Sequence, residues 1–258
     1  MQDMLIDRWR ASGIEDGDTL LIHSNIKRTL IEFRRQGMQI TPDDILNSFI
    51  SAVGPKGTLL LPLFNFDFTS GTPFNYYETP SHMGALTESG RLYKGAVRTG
   101  HPIYSFAVIG NQSEKFRHVD NESGYSEESP FGILKQLNGK IAVLDLPDQN
   151  SMTFYHHVEE VKRVDYRYFK TFTGSYTNKD NEKTEKSYKL YVRDIEHGVR
   201  TDVNPAGELM WENGIYSGDR PKIGSGLRVA KAQDIFTFVS DIIDSGKALG
   251  TLYSVGEL

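Results

Sequence analysis

Residues 18–26, DTLLIHSNI, and 57–64, GTLLLPLF, decide how this chain reads as a fold. Each is a short, almost unbroken apolar run between polar or glycine residues, the pattern of a strand buried on both faces. The first run, Leu20 to Ile22, ends in the polar series His23-Ser24-Asn25. Between the two lies Thr41-Pro42-Asp43-Asp44, a strong helix start: a capping side chain, proline at the first position and acids in the first turn. That helix carries Ile45, Phe49 and Ile50 toward a core and stops before Gly54-Pro55. Buried strand, helix, buried strand predicts an α/β fold with a mixed, partly parallel central sheet flanked by helices. A chain of 258 residues is near the upper size for one core, so it reads as a single domain over 1–258 or as two closely packed lobes.

Other segments extend this pattern. MLIDRWRASGI places Met4, Leu5, Trp9 and Ile14 at helical spacing. Residues 83–95 and 153–164 read as helices, Ser129-Pro130-Phe131 opens another, and 230–243 is a C-terminal one. SFAVIG and KIAVLDL are strands. From 166 to 192 aromatic and polar residues alternate around a polar stretch at 178–187, which predicts an added antiparallel β segment with an exposed turn. Residues 65–82 form a long aromatic-rich loop, a type that is often functional in a compact domain.

Composition narrows the chemistry. There is no cysteine, which excludes a cysteine nucleophile, thiolate metal ligands and disulfides. The net charge of -5 argues against nucleic acid or an anionic membrane as the partner. No apolar run approaches the roughly 18 residues of a membrane span, and the N-terminal stretch lacks a secretory pattern, so the expected address is the cytoplasm. The G-x-S-x-G elbow and H-E-x-x-H are absent, and no metal is expected.

Three segments carry candidate chemistry. In TFYHHVEE, 153–160, a helix would bring His156 to Glu159 and His157 to Glu160, with Glu160 also near His156. A carboxylate beside an imidazole orients it and favours its protonated form, as a general base requires; a solvated polar face is the alternative. In IHSNIKRT, 22–29, polar groups follow a buried strand, where backbone N–H groups with Lys27 and Arg28 could hold phosphate, or simply make a turn. In VRTGHPIYSFAVIG, 97–110, Arg98, His101 and Ser105 surround a proline-fixed bend that is either a site or a stabilised turn.

Taken in order, LLIHSNIK, VGPKGTLLLPLF, PSHMGALTESGR, VRTGHPIYSFAVIG, SPFGILKQLNGKIAVLDL and TFYHHVEE closely resemble the aminoglycoside 3-N-acetyltransferase family over about residues 17 to 165. The last motif matches at Thr153, His156 and Glu159. The resemblance implies a CoA-dependent N-acyltransferase acting on the amine of an amino sugar, with acyl-CoA as co-substrate. It implies His156 as general base and Glu159 as its orienting partner. His23, Ser24, Asn25 and Lys27 would face CoA, with Arg98, His101 and Ser105 lining the same cleft. Asn65, Asp67 and Glu160 are the candidate substrate contacts. The long loop lacks the tryptophan that the family's drug-modifying members usually carry. Its aromatics, with Lys162, Arg163, Arg167 and Lys170, suit a nucleotide-linked amino sugar of surface polysaccharide synthesis; a free aminoglycoside and a non-catalytic sugar-binding protein are the alternatives. The expected assembly is a monomer or homodimer.

Overall fold

The computed structural model describes residues 1–256. In chain order the strands are β1 (Thr19–Ser24), β2 (Thr58–Pro62), β3 (Phe74–Asn75), β4 (Val97–Arg98), β5 (Phe106–Gly110), β6 (Lys140–Leu144), β7 (Arg167–Thr177), β8 (Lys183–Arg193), β9 (Val199–Thr201), β10 (Ser217–Gly218), β11 (Leu227–Lys231) and β12 (Tyr253–Val255). The helices are α1 (Gln2–Ala11), α2 (Lys27–Arg35), α3 (Pro42–Val53), α4 (Ala85–Leu92), α5 (Pro130–Gln136), α6 (Phe154–Lys162), α7 (Asn204–Glu212) and α8 (Ala232–Asp244).

The main sheet runs β10-β11-β6-β1-β2-β5-β4. Its centre, β6-β1-β2, is parallel, and both flanks are antiparallel, which is the mixed sheet the apolar runs predict. Alternation explains how one strand serves two cores. Leu20 and Ile22 of β1, Leu59 and Leu61 of β2, and Ala142 and Leu144 of β6 join one apolar cluster with α1, α3 and Phe33 of α2. Leu21, Leu60, Ile141 and Val143 face the other cluster, shared with α5 to α8 and the β7–β8 hairpin.

The helix start at Thr41 forms as its residues dictate. Asp44 N–H donates to Thr41 Oγ1 at 3.2 Å, and Thr41 N–H donates back to the Asp44 carboxylate at 2.8 Å. Gly54 ends this helix at φ 69°, where an added Cβ would lie 1.8 Å from Asp16 Oδ1. In α1, Leu5 and Trp9 are buried as expected, whereas Met4 is exposed.

The hairpin departs from its expected boundaries. The turn is residues 178–182 alone; 183–187 belong to β8, because their polar side chains face solvent while their backbones pair with β7 from Ser187↔Thr173 to Lys183↔Thr177. The sequence reading also missed β11, antiparallel to β6, and α7. β11 matters most, because it delivers Arg228.

Candidate active site

A cleft of about 480 Å³ opens where the carboxyl ends of β1, β2 and β6 meet. The chain leaves β1 for β2 on one side and later returns to β6 on the other. The strand order therefore reverses at β1, the usual place for a ligand crevice in an α/β sheet. His23, Ser24, Asn25 and Lys27 all line this cleft, as do His82, Gly84 to Thr87, Leu146 and Asn150. Asn25 is held by N–H donation to Leu144 O, and its Oδ1 accepts from Lys27 N–H at 3.2 Å. Two helices, α2 and α4, begin at the cleft with no side-chain bond from the N-cap residue. The Asn25 side chain already takes the first N–H of α2, whereas the first turn of α4, Ala85 to Thr87, lines the cleft and offers helix N-terminal N–H groups suited to an anion. Arg28 is not part of it: its Nε donates to Asp145 at 2.8 Å and its terminal nitrogens to Gly224 O.

Arg98, His101 and Ser105 do not line this cleft. Arg98 is spent on Ser105 Oγ, Tyr76 O and Thr79 O, and burial lowers its pKa to about 10. His101 is wholly buried and its Nδ1 accepts from the N–H groups of Ile103 and Tyr104. The proline-fixed bend is thus an internally bonded turn. Asn65 is buried too, donating to Pro80 O at 3.0 Å and accepting from Asp67 N–H, and its Nδ2 lies 3.1 Å from Nε2 of His82. Asp67 is half exposed and stands 3.4 Å from His82, on the cleft wall, which the sequence reading did not single out. Glu160 is buried and accepts from Ser123 Oγ at 2.7 Å, with burial raising its pKa.

The helix α6 is not half-solvated. Phe154, Tyr155, His157, Val158, Glu159 and Glu160 are all buried, because α5 and α8 pack against it and the hairpin's Arg167 reaches the Glu159 carboxylate. His156 Nδ1 lies 2.7 Å from Glu159 Oε2, the pair that i, i+3 spacing predicts. Glu159 also accepts from Tyr166 O–H at 3.0 Å, and Arg167 Nε lies 2.7 Å from it. Burial opposes its ionisation, but Arg167 and His156 outweigh that and its pKa is lowered. The expected rise in the pKa of His156 is reversed. Burial first, then the Arg167 charge, lowers it against the pull of Glu159. His157 donates from Nδ1 to Tyr125 O at 2.7 Å, and burial drops its pKa to about 4.

His156 does not itself line the 480 Å³ cleft; a relay of ring contacts, His23–Phe64–Tyr104–Tyr125–His156, lies between them. The four basic residues expected for phosphate have partners within the fold: Lys162 pairs with Asp244, Arg163 lies over the Phe169 ring, Arg167 meets Glu159, and Lys170 stands 5.6 Å from the Phe172 ring centre. Among the described residues, no group of three or more His, Asp or Glu is placed to hold a metal ion, and no helix is long and apolar enough to cross a membrane.

Behind the cleft lies a buried polar cluster. Asp148 Oδ1 accepts from Arg228 at 2.8 Å, and its Oδ2 accepts from Tyr155 and Tyr216 hydroxyls at 2.6 Å each. Arg228 also donates to Leu146 O, which lies in a cleft-lining residue. Removing one partner of a buried pair strands the other's charge. Asp148→Ala is therefore expected to lower stability by about 3–5 kcal/mol, read from the urea unfolding midpoint. A loss below about 1 kcal/mol, the range of an exposed pair, would show that water already reaches Arg228.

The aminoglycoside 3-N-acetyltransferase family model matches residues 21–244. Aminoglycoside N(3)-acetyltransferase IX of Micromonospora chalcea is 24% identical over 183 residues, 62% of this chain and 62% of that protein. The match thus spans about three fifths of that curated relative's length. Among solved structures, aminoglycoside acetyltransferase AAC(3)-Xa superposes with a TM-score of 0.78 at 22% identity, covering 95% of this chain and 92% of that one. A binary complex of AAC-IIIb with CoASH gives 0.77 at 19% identity, covering 95% and 97%. At these identities the structural likeness concerns the fold.

Proposed function

We propose that this chain, which belongs to the aminoglycoside 3-N-acetyltransferase family, moves an acyl group from acyl-CoA to the amine of an amino sugar. The observation that carries the reading is the His156–Glu159 pair. Among the described residues the ring's hydrogen bonds are all at Nδ1, which leaves Nε2 for a substrate. With Nδ1–H donating to Glu159, Nε2 presents its lone pair. The amine nitrogen attacks the thioester carbonyl, the C–N bond forms, and its proton passes to Nε2. Collapse of the tetrahedral centre breaks the C–S bond, and the imidazolium returns the proton to the departing thiolate. The products are an amide and free thiol, and no enzyme nucleophile is needed. The lowered pKa leaves His156 neutral at neutral pH, ready to accept that proton.

The cleft residues fit acyl-CoA. His23 lines the cleft at 5% exposure, and among the described residues its buried Nε2 has no hydrogen-bond partner. The uncapped start of α4, with Lys27 across the cleft, suits phosphate.

The relatives' names, and a neighbour solved with sisomicin bound, support a free aminoglycoside as acceptor. They rank it ahead of the nucleotide-linked sugar that the loop composition suggested. One observation keeps that second reading: with Arg167 paired to Glu159, Arg193 is a further positive charge felt by His156, which suits an anionic acceptor better than a polycation. The test is acetyl-CoA, or a longer acyl-CoA, with panels of free aminoglycosides and of nucleoside-diphosphate amino sugars, followed by thiol detection. Amine-dependent thiol release is expected, and the responding panel names the acceptor. No release above hydrolysis with either panel would sink the enzymatic reading and favour a sugar-binding protein.

A further inference from the structure

The geometry points to Arg167 as the positioning residue that sets which nitrogen of His156 carries the proton. This rests on the reading of His156 as the base. Arg167 opens β7, just beyond the left-handed turn at Arg163 (φ 54°) that folds the hairpin back over α6. Its side chain is 5% exposed. Nε lies 2.7 Å from Glu159 Oε2, Nη1 donates to Tyr191 O at 3.1 Å, and Nη2 lies 2.9 Å from His156 Nδ1.

These distances place His156 Nδ1 between two partners that make opposite demands. A guanidinium only donates, so the Arg167 contact is a hydrogen bond only when Nδ1 carries no proton. A carboxylate only accepts, so the Glu159 contact is one only when Nδ1 is protonated. In the first state the proton sits on Nε2 and the ring cannot act as a base. In the second Nε2 is free and it can. The two states differ by one proton's position, and Arg167 and Glu159 compete to set their ratio.

Charge adds a second effect. The groups facing the ring are Glu159 from α6, Arg167 from β7, Arg193 from β8 and the Tyr125 ring; Tyr166 bonds the far oxygen of Glu159. Both arginines oppose the imidazolium. Once Nε2 has taken the substrate proton, Arg167 makes the ring a stronger acid and so hastens return of the proton to the leaving thiolate. An arginine that merely tied β7 to α6 would do neither.

The experiment uses the full chain with ¹⁵N-labelled histidine, in wild type, Arg167→Met and Arg167→Lys. Imidazole ¹⁵N shifts report the tautomer without turnover, and thiol release gives the pH profile of kcat/KM. Arg167→Met is expected to move His156 toward the Nδ1–H form and to raise the acid limb by on the order of one pH unit. Arg167→Lys keeps the charge and loses the fork, so its acid limb should stay put while the tautomer ratio shifts. If Met does not fold, the Lys variant carries the tautomer test. Unchanged tautomer and acid limb, with activity lost only in step with folded protein, would overturn the inference. Because the NMR arm needs no activity, it separates this inference from the general-base reading, which falls instead if His156→Ala keeps turnover.

Discussion

Replacing His156 with alanine is expected to cut turnover by about 10²- to 10⁴-fold while the protein stays folded, the range for loss of a general base. The side chain is about one-fifth exposed, and its main packing partner is the edge-on Tyr125 ring, so its loss opens little of the core. Thiol release with the responding acceptor measures the effect, and the unfolding midpoint checks the fold. Near-normal turnover would remove His156 from the mechanism. Glu159→Gln is expected to cost less turnover, but more stability, because it leaves the buried Arg167 guanidinium without its carboxylate.

Stability should fall steeply on acidification. His23, His101 and His157 are buried and neutral, with pKa values lowered by burial to about 3, 4 and 4. Each is depressed in the folded state and ordinary, about 6.5, in the unfolded chain. Above that value none costs anything. As pH falls below it, unfolding takes up a proton at each, and stability drops until the folded pKa values are reached. The slope is up to about 1.4 kcal/mol per pH unit for each histidine. Urea midpoints at stepped pH from 7 to 4 would show the decline, and a flat profile from 7 to 5 would refute it. His157→Gln can still donate to Tyr125 O, and it should reduce the slope by one histidine's share.

The parallel centre of the sheet was legible because its strands are buried on both faces, which demands unbroken apolar runs at 20–22 and 59–61. The start at Thr41 and the stop at Gly54 were legible because caps are local. β11 escaped notice because it is a single antiparallel strand carrying arginine at position 228, a charge no strand pattern anticipates. Its partner Asp148 is 80 residues away in sequence.

The site divides in the same way. Sequence alone offered His156–Glu159 and His157–Glu160 as equally spaced pairs, with the family resemblance favouring the first, and it showed the polar strand end at His23 to Lys27, because helical spacing and strand termination act over four or five residues; in the fold His157 and Glu160 bond Tyr125 and Ser123 instead of each other. Only the tertiary structure decided what those groups experience. It withdrew Arg98, His101, Ser105, Asn65 and Glu160 into internal bonds, and it turned Arg167 from a phosphate ligand into the neighbour of the base. It also reversed the direction of the His156 shift. The physical reason is that a pKa and a hydrogen-bond partner depend on burial and on charges across the fold, and the residues that supply them, from β7 and β8, are neighbours of α6 only in space.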